Sequence, residues 1–218
     1  MDAKQLSAEI KKARENSKKR KFSQSFDVIF SFKDLDLKKP SDQLDLFISL
    51  PFNRGKKVKV CALVGAELIA NARESADFAV LQDDFAEYAK DKKKTKKLAE
   101  EYDFFIAQAN IMSNVAQAFG RVLGPRNKMP NPKSGCVVPP KFNIKPLVEK
   151  LQNTVRVLVK TAPMSQIRIG NEDMSDEQVA ENILTVYNAV IHALPNEKNN
   201  IRGIFIKTSM GKPVEVKP

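Results

Sequence analysis

One histidine, His192, and two cysteines, Cys61 and Cys136, are the complete stock of imidazole and thiol groups in this 218-residue chain. A structural zinc site takes about four Cys or His ligands, so none can be assembled here. The same census leaves a Cys/His or Ser/His catalytic pair only if His192 serves. That residue sits in AVIHALP, at the end of an apolar helical run, where packing or a C-terminal capping role is expected instead. Cys61, inside VKVCALVG, reads as a small buried apolar residue. Paired carboxylates occur at Asp83-Asp84 and Glu100-Glu101, each in a charged helical region that reads as surface. No catalytic residue, metal or other cofactor is expected.

Two stretches carry a different chemistry. The run Lys18, Lys19, Arg20, Lys21 leads straight into Phe22, Gln24 and Ser25. Cations, an aromatic face and hydrogen-bonding groups within one strand entrance form a mixture suited to RNA. Phe22 reads equally well as an edge core residue. The second stretch, Leu123 to Val137, is LGPRNKMPNPKSGCV, with two glycines, three prolines and the cations Arg126, Lys128 and Lys133. Such a loop can cradle phosphate, serve as a hinge, touch nucleic acid or act as a rigid connector. The nucleotide fingerprints fail the direct test. A P-loop needs GxxxxGK followed by Ser or Thr, whereas the order here is KSG, Lys133 to Gly135, and GxGxxG is absent. A nucleotide-dependent enzyme built on an α/β domain is kept only as the alternative.

The elements that must position these residues follow from periodicity. Gln5 to Lys18 places Leu6, Ile10 and Ala13 on one helical face. In FSQSFDVIFSF, Phe26, Val28, Phe30 and Phe32 recur at every second position, as a strand requires. DLFISL is a second strand. From Val58 onward, short apolar runs alternate with helical ones: VKVCALV, AELIANARE, DFAVL, a charged helix from Tyr88 to Glu101, DFFIAQ, NIMSNVAQAFGRVL. That alternation predicts parallel βαβ units and a three-layer α/β domain. KPLVEKLQN adds a helix. The strands VRVLVKT and SQIRIG follow, then a helix opened by the capping box of Ser175 and Gln178 and running to about Leu194, then the strands IRGIFIKTSM and PVEVK. The expected organisation is a discontinuous domain of residues 1–56 and 154–218, with a second domain of residues 57–153 inserted in it.

Composition limits the partners. Thirty-seven Lys plus Arg against 26 Asp plus Glu give a formal charge of +11, spread over both segments, which favours an anionic partner. No run approaches the roughly 18 apolar residues of a membrane span, and MDAKQLSAEIKKAREN lacks the apolar core of a secretory signal. The expectation is a cytoplasmic protein without a membrane partner. KDKKKTKKL, Lys90 to Leu98, reads as a solvated helix face.

LGPRNKMPNPKSGCV closely resembles the signature loop of the large-subunit ribosomal protein L-one family, the proteins of the side stalk, whose pattern runs roughly LGPRGLMPNPKxGTV. The resemblance extends to KFSQSF, DLDLKKPSDQLD and ISLP, and to IKTSMGKP at the end, so it covers essentially the whole chain. DLDLK and the compact length are similar to the archaeal and eukaryotic branch. The resemblance implies an α+β first domain made from both termini and an inserted Rossmann-like α/β domain, joined by a hinge. It implies binding to large-subunit rRNA at the mobile stalk near the tRNA exit site, help in releasing deacylated tRNA, and repression of translation through the protein's own mRNA. A monomer is expected off the ribosome. Carried over by residue, the RNA surface falls on Lys21, Phe22, Gln24 and Ser25 and on Thr208, Ser209, Met210 and Gly211 in the closing turn. Gln166 and Arg168 occupy a neighbouring strand. Arg126, Lys128 and Lys133 form an auxiliary basic loop. The chain departs from the pattern at Asn127 and Lys128, where Gly-Leu is usual, and at Cys136, where Thr is usual.

Overall fold

Phe26, Val28, Phe30 and Phe32 alternate with Ser25, Asp27, Ile29 and Ser31, and a strand sends the two sets to opposite faces. The computed structural model of the protein, which describes residues 3–216, shows that separation directly: the first set is buried and the second keeps contact with water. In chain order the elements are α1 (Ala3–Glu15), β1 (Ser25–Phe32) and β2 (Leu44–Ser49). Then come β3 (Val60–Val64), α2 (Ile69–Ser75), β4 (Phe78–Leu81), α3 (Phe85–Lys90), α4 (Lys92–Glu101), β5 (Phe104–Gln108), α5 (Met112–Leu123), β6 (Val137–Val138) and α6 (Ile144–Gln152). β7 (Thr154–Val159), β8 (Met164–Asn171), α7 (Asp176–Ala193), β9 (Ile201–Thr208) and β10 (Val214–Val216) complete the series. The chain divides into two units, one made of the residues up to Lys56 with those from Asn153 onward, the other of Lys57–Gln152.

The first unit carries an antiparallel sheet in the order β10-β9-β1-β8, with β2 and β7 paired antiparallel beside it. Its core joins Leu6, Ile10 and Ala13 of α1 to Ile183, Val186 and Val190 of α7 and to the inner residues of both sheets. The two helices therefore cover one sheet face. α7 begins as its sequence requires: Ser175 Oγ accepts from Gln178 N, and the Gln178 side chain accepts from Ser175 N, two otherwise orphaned donors satisfied reciprocally. Of the two roles expected for His192, packing is removed by the structure, since the side chain lies exposed, and its place is the last turn of α7.

The second unit is a parallel sheet in the order β4-β3-β5-β6. Separate cores lie on its two faces, one against α3, α4 and α5 and the other against α2 and α6, which makes three layers. Cys61 and Cys136 are buried free thiols in different cores, and burial pushes both thiols up. The single charged helix expected from Tyr88 to Glu101 is two helices. The break falls at Asp91, whose extended backbone and carboxylate, accepting from Lys93 N and Lys94 N, cap the start of α4. Lys92, Lys93, Lys94, Lys96 and Lys97 all lie exposed, the solvated face that the run KDKKKTKKL suggests.

The loop LGPRNKMPNPKSGCV begins by ending α5. Asn127 has φ of 55°, its N–H donates to Gly124 O at 2.9 Å, and Lys128 N donates to Leu123 O at 3.0 Å. That pair of bonds around a left-handed residue is a Schellman stop, in which Gly is usual and Asn is the tolerated substitute. The departure from the resembled pattern at Asn127 is thus met by the one side chain type that suits the conformation. Asn131 then closes the second half: its Oδ1 accepts from Lys133 N at 2.9 Å, and its carbonyl accepts from Ser134 Oγ at 2.7 Å and Cys136 N at 3.2 Å. Gly135, at φ of 75°, completes that turn. Replacing Asn127 by Gly should raise the unfolding free energy by about 0.5 kcal/mol, and replacing it by Val should lower it by about 1 kcal/mol, both checked by urea titration.

Candidate nucleic-acid interface

β1 runs antiparallel to both β8 and β9, so the entrance of β1 meets the exit of β9, with Phe26 paired to Thr208. Residues 21–25 and 208–211, almost the whole chain apart in sequence, converge there. Ser209 N donates to Ser25 O at 3.0 Å, Ser25 N donates to Ser209 Oγ at 3.1 Å, and the two hydroxyls lie 2.9 Å apart. A register shift between Phe26 and Asp27 marks the same end of the sheet.

Gln24 is the hub of this junction and has no exposed surface. Its Oε1 accepts from Met210 N at 3.1 Å. Its Nε2 donates to Ser17 Oγ at 2.8 Å and Glu172 Oε1 at 3.0 Å, with the Lys18 carbonyl 3.2 Å away. Glu172 Oε2 also accepts from Gln24 N at 3.0 Å. Glu172 belongs to the connection after β8, where Arg14 of α1 donates to the Glu172 carbonyl, the Met174 carbonyl and Asp176, and lies over the Phe26 ring. One buried amide therefore ties the end of α1, the entrance of β1, the β8–α7 connection and the 208–211 turn together.

On this lattice two large apolar side chains stand in water: Phe22 is 54% exposed and Met210 62% exposed. Met210 is tied to the lattice through its N–H, and Phe22 stands two residues before Gln24, which makes the two exposed side chains candidates for contact. Lys18, Lys19, Arg20 and Lys21 are all exposed beside Phe22. Gln166 and Arg168 face the same water on β8, opposite Ile29 and Asp27. Gln166 Nε2 donates to Asp27 Oδ2 at 3.2 Å. Burial pushes the Asp27 carboxyl up, against the opposing pull of that bond and of Lys207 and Arg168.

The structure gathers Lys21, Phe22, Gln24, Ser25, Thr208, Ser209, Met210 and Gly211 where β1 begins and β9 ends, while Arg168 and Gln166 lie further along β8 on the outward face, opposite Asp27 and Ile29. Two of them take different parts from those the sequence suggests. Gln24 and Thr208 are fully buried, so they hold the surface from beneath. Gly211 is needed inside the turn: a Cβ there would overlap Thr208 Oγ1, while its N–H donates to Thr208 O at 3.1 Å. Gly211→Ala should therefore lower the unfolding free energy by roughly 1–2 kcal/mol through overpacking, a change read from the urea midpoint. Ser17 and Glu172 escape sequence reading: Glu172 lies 148 positions from Gln24, and Ser17, seven positions away, carries no local mark of its role.

Arg126, Lys128 and Lys133 belong to the other unit. Lys128 corrects the picture of a freely presented cation: its Nζ donates to the Ala99 and Tyr102 carbonyls, each at 2.8 Å, and so finishes the C-terminus of α4. Arg126 pairs with Glu100 at 3.3 Å, and Lys133 is exposed. In a parallel α/β sheet a nucleotide would sit where strand order reverses, outside the carboxyl ends of the strands. Here that place, between the ends of β3 and β5, holds the buried Gln108, whose Oε1 takes the Gly65 N–H at 2.9 Å. That N–H is engaged within the unit.

The class defined by fold and site is a two-unit α/β protein: a discontinuous α+β unit with a polar, cation-flanked sheet end, interrupted by a parallel three-layer unit. The chain belongs to the Ribosomal protein L1p/L10e family, whose family model matches residues 11–212. It is 45% identical over 208 residues to the large ribosomal subunit protein uL1 of Methanobrevibacter smithii, covering 95% of this chain and 96% of the relative. The protein of that name from Methanothermobacter thermautotrophicus is 42% identical with the same coverage. The one from Pyrococcus horikoshii is 42% identical over 216 residues, 99% of this chain and 96% of the relative. These relatives are named as ribosomal proteins and not as enzymes, and the resemblance read from the 123–137 loop, the first strand and the closing strand is borne out.

Proposed function

We propose that this chain is a large-subunit ribosomal protein, working in the cytoplasm on the ribosome, that binds rRNA of the mobile side stalk through the end of its first-unit sheet. The observation that carries the reading is the pair of exposed apolar side chains, Phe22 and Met210, mounted on the buried Gln24 lattice and flanked by Lys18 to Lys21. An aromatic face, a polarizable thioether, the hydroxyl of Ser209 and nearby cations supply what unpaired RNA offers to bind: base faces, 2′-hydroxyls and phosphates. At the stalk the protein would help deacylated tRNA leave the exit site. The same surface would hold a matching structure in its own mRNA and repress translation. The two chain crossings, at residues 56–57 and 152–153, serve in this reading as the hinge between units.

A filter-binding comparison at one fixed salt concentration tests the proposal. Stalk rRNA and the protein's own leader mRNA should both compete with labelled rRNA, the rRNA more strongly, while an unrelated RNA of equal length competes poorly. Saturable micromolar binding of ATP, GTP or NAD with turnover, and no preference among the RNAs, would contradict it.

A further inference from the structure

The outward face of the β10-β9-β1-β8 sheet carries one aromatic residue that neither core uses. Phe205 on β9 belongs to none of the buried clusters and keeps part of its surface in water. Its neighbours across the ladder are Ile29 on β1 and Glu215 on β10. Two residues back on the same strand face is Gly203. A Cβ at Gly203 would meet Phe205 Cε2 at 3.3 Å and Cζ at 3.4 Å, so the ring leans down over the glycine. Only a residue without a side chain lets an aromatic ring lie along the sheet in this way. Gly203 is buried beneath it. Among the described residues no other aromatic ring stacks on or edges against Phe205, and the ring is partly open to water.

The geometry points to Phe205 as a stacking platform for an unpaired RNA base, a second contact that extends the candidate interface across the open sheet. The inference rests on the RNA-binding reading. Continuity argues for the occupant: Lys207, next but one on the same face, lies opposite Asp27, and Arg168 lies opposite Asp27 on the other side. From there the strand leads directly to Thr208 and Ser209 at the junction already described. Cations beside a flat ring on an antiparallel sheet suit a nucleotide, whose base takes the ring and whose phosphate takes the charge. A protein segment docking here would gain little from Lys207 and Arg168.

The chain contains no tryptophan, so Phe205→Trp supplies a single reporter placed on the platform. With the stalk segment of large-subunit rRNA as probe, its emission should fall to roughly half or less on saturation, because a stacked base quenches the indole. Phe205→Leu should weaken binding about tenfold and Phe205→Tyr by no more than about twofold, since only the first loses the flat ring. Thermal unfolding of each variant is measured on the same preparations. If the wild-type chain binds the rRNA while the Trp reporter is unquenched and Phe205→Leu keeps full affinity, the platform is refuted and the RNA reading stands. A Leu variant that unfolds earlier but binds equally well, again with an unquenched reporter, makes Phe205 only a cover for Gly203 and also refutes it. Absence of rRNA binding by the wild-type chain overturns both readings together.

Discussion

Gln24→Leu should lower the unfolding free energy by about 3 kcal/mol and weaken stalk rRNA binding by more than tenfold in the molecules that remain folded. Leucine is close in size and keeps the site filled, so the loss comes from hydrogen bonds and not from volume. Met210 N–H loses its acceptor, and Ser17 Oγ and Glu172 Oε1 lose their donor. A buried group left without its partner costs about 1–3 kcal/mol, and a bond to a carboxylate stands at the upper end of that range. The functional loss follows from release of the turn. Without the amide, Met210 is no longer fixed relative to Phe22, and a contact surface that must be ordered on binding gives up affinity. Urea titration followed by far-ultraviolet dichroism reads the first quantity, and filter binding on the same preparation reads the second. Gln24→Glu separates the two roles: it keeps an acceptor for Met210 N–H but sets a second carboxylate against Glu172, so stability should fall while the turn stays tied.

Met210→Asp and Ser209→Val should each weaken rRNA binding by roughly one to two powers of ten, the first with little change in stability and the second with a loss of about 1 kcal/mol, because Ser25 N–H loses its acceptor. Met210 is exposed, so replacing its side chain disturbs no core, yet aspartate puts a charge of the wrong sign where the sugar-phosphate chain approaches. Ser209→Val removes a hydroxyl that both bridges Ser25 and can reach a 2′-OH. Phe22→Ala belongs to the same test, because loss of one stacked base is worth about 1–3 kcal/mol. Lys94→Ala is the charge control: Lys94 lies exposed on α4 of the other unit, paired with Glu87, and its loss should change affinity far less. Equal losses for Lys94→Ala and Met210→Asp would mean that net charge alone drives binding. Unchanged affinity in folded Ser209→Val and Met210→Asp would take the turn out of the site and leave Lys18 to Ser25 as the contact.

Much of the fold is legible because its signals are local. The phenylalanines of β1 recur with the strand period, the strand-helix alternation after Val58 announces a parallel sheet, and Ser175 with Gln178 writes the start of α7 into four residues. Where local signals compete, reading fails. The lysine-rich stretch has the composition of one helix, but Asp91 offers the backbone a cap, and capping wins over continuation. The site divides in the same way. Phe22 and the basic run before it show themselves by composition, since an aromatic among cations is unusual. Gln24 shows itself only as a hydrogen-bonding group beside that run, Thr208 and Gly211 are visible only as part of the family pattern, and the positions of all three beneath the surface are not visible at all. Gln24 looks like any polar residue until Glu172 and Met210, 148 and 186 positions away, are brought beside it. The Gly203 and Phe205 pair carries a faint local mark, a glycine two residues before an aromatic in a strand, but which face of the sheet they share needs the register.

The most direct test of the interface is an oxidation footprint. Met210 and Met164 are both exposed, 62% and 46%, and stand at opposite ends of the same sheet, so hydrogen peroxide should convert both to sulfoxide readily in the free protein. In the complex with stalk rRNA, mass spectrometry should find Met210 oxidised at least several-fold more slowly while Met164 keeps its rate. Met210 reacting as fast in the saturated complex as in the free protein would contradict the assignment of the 208–211 turn to the RNA surface.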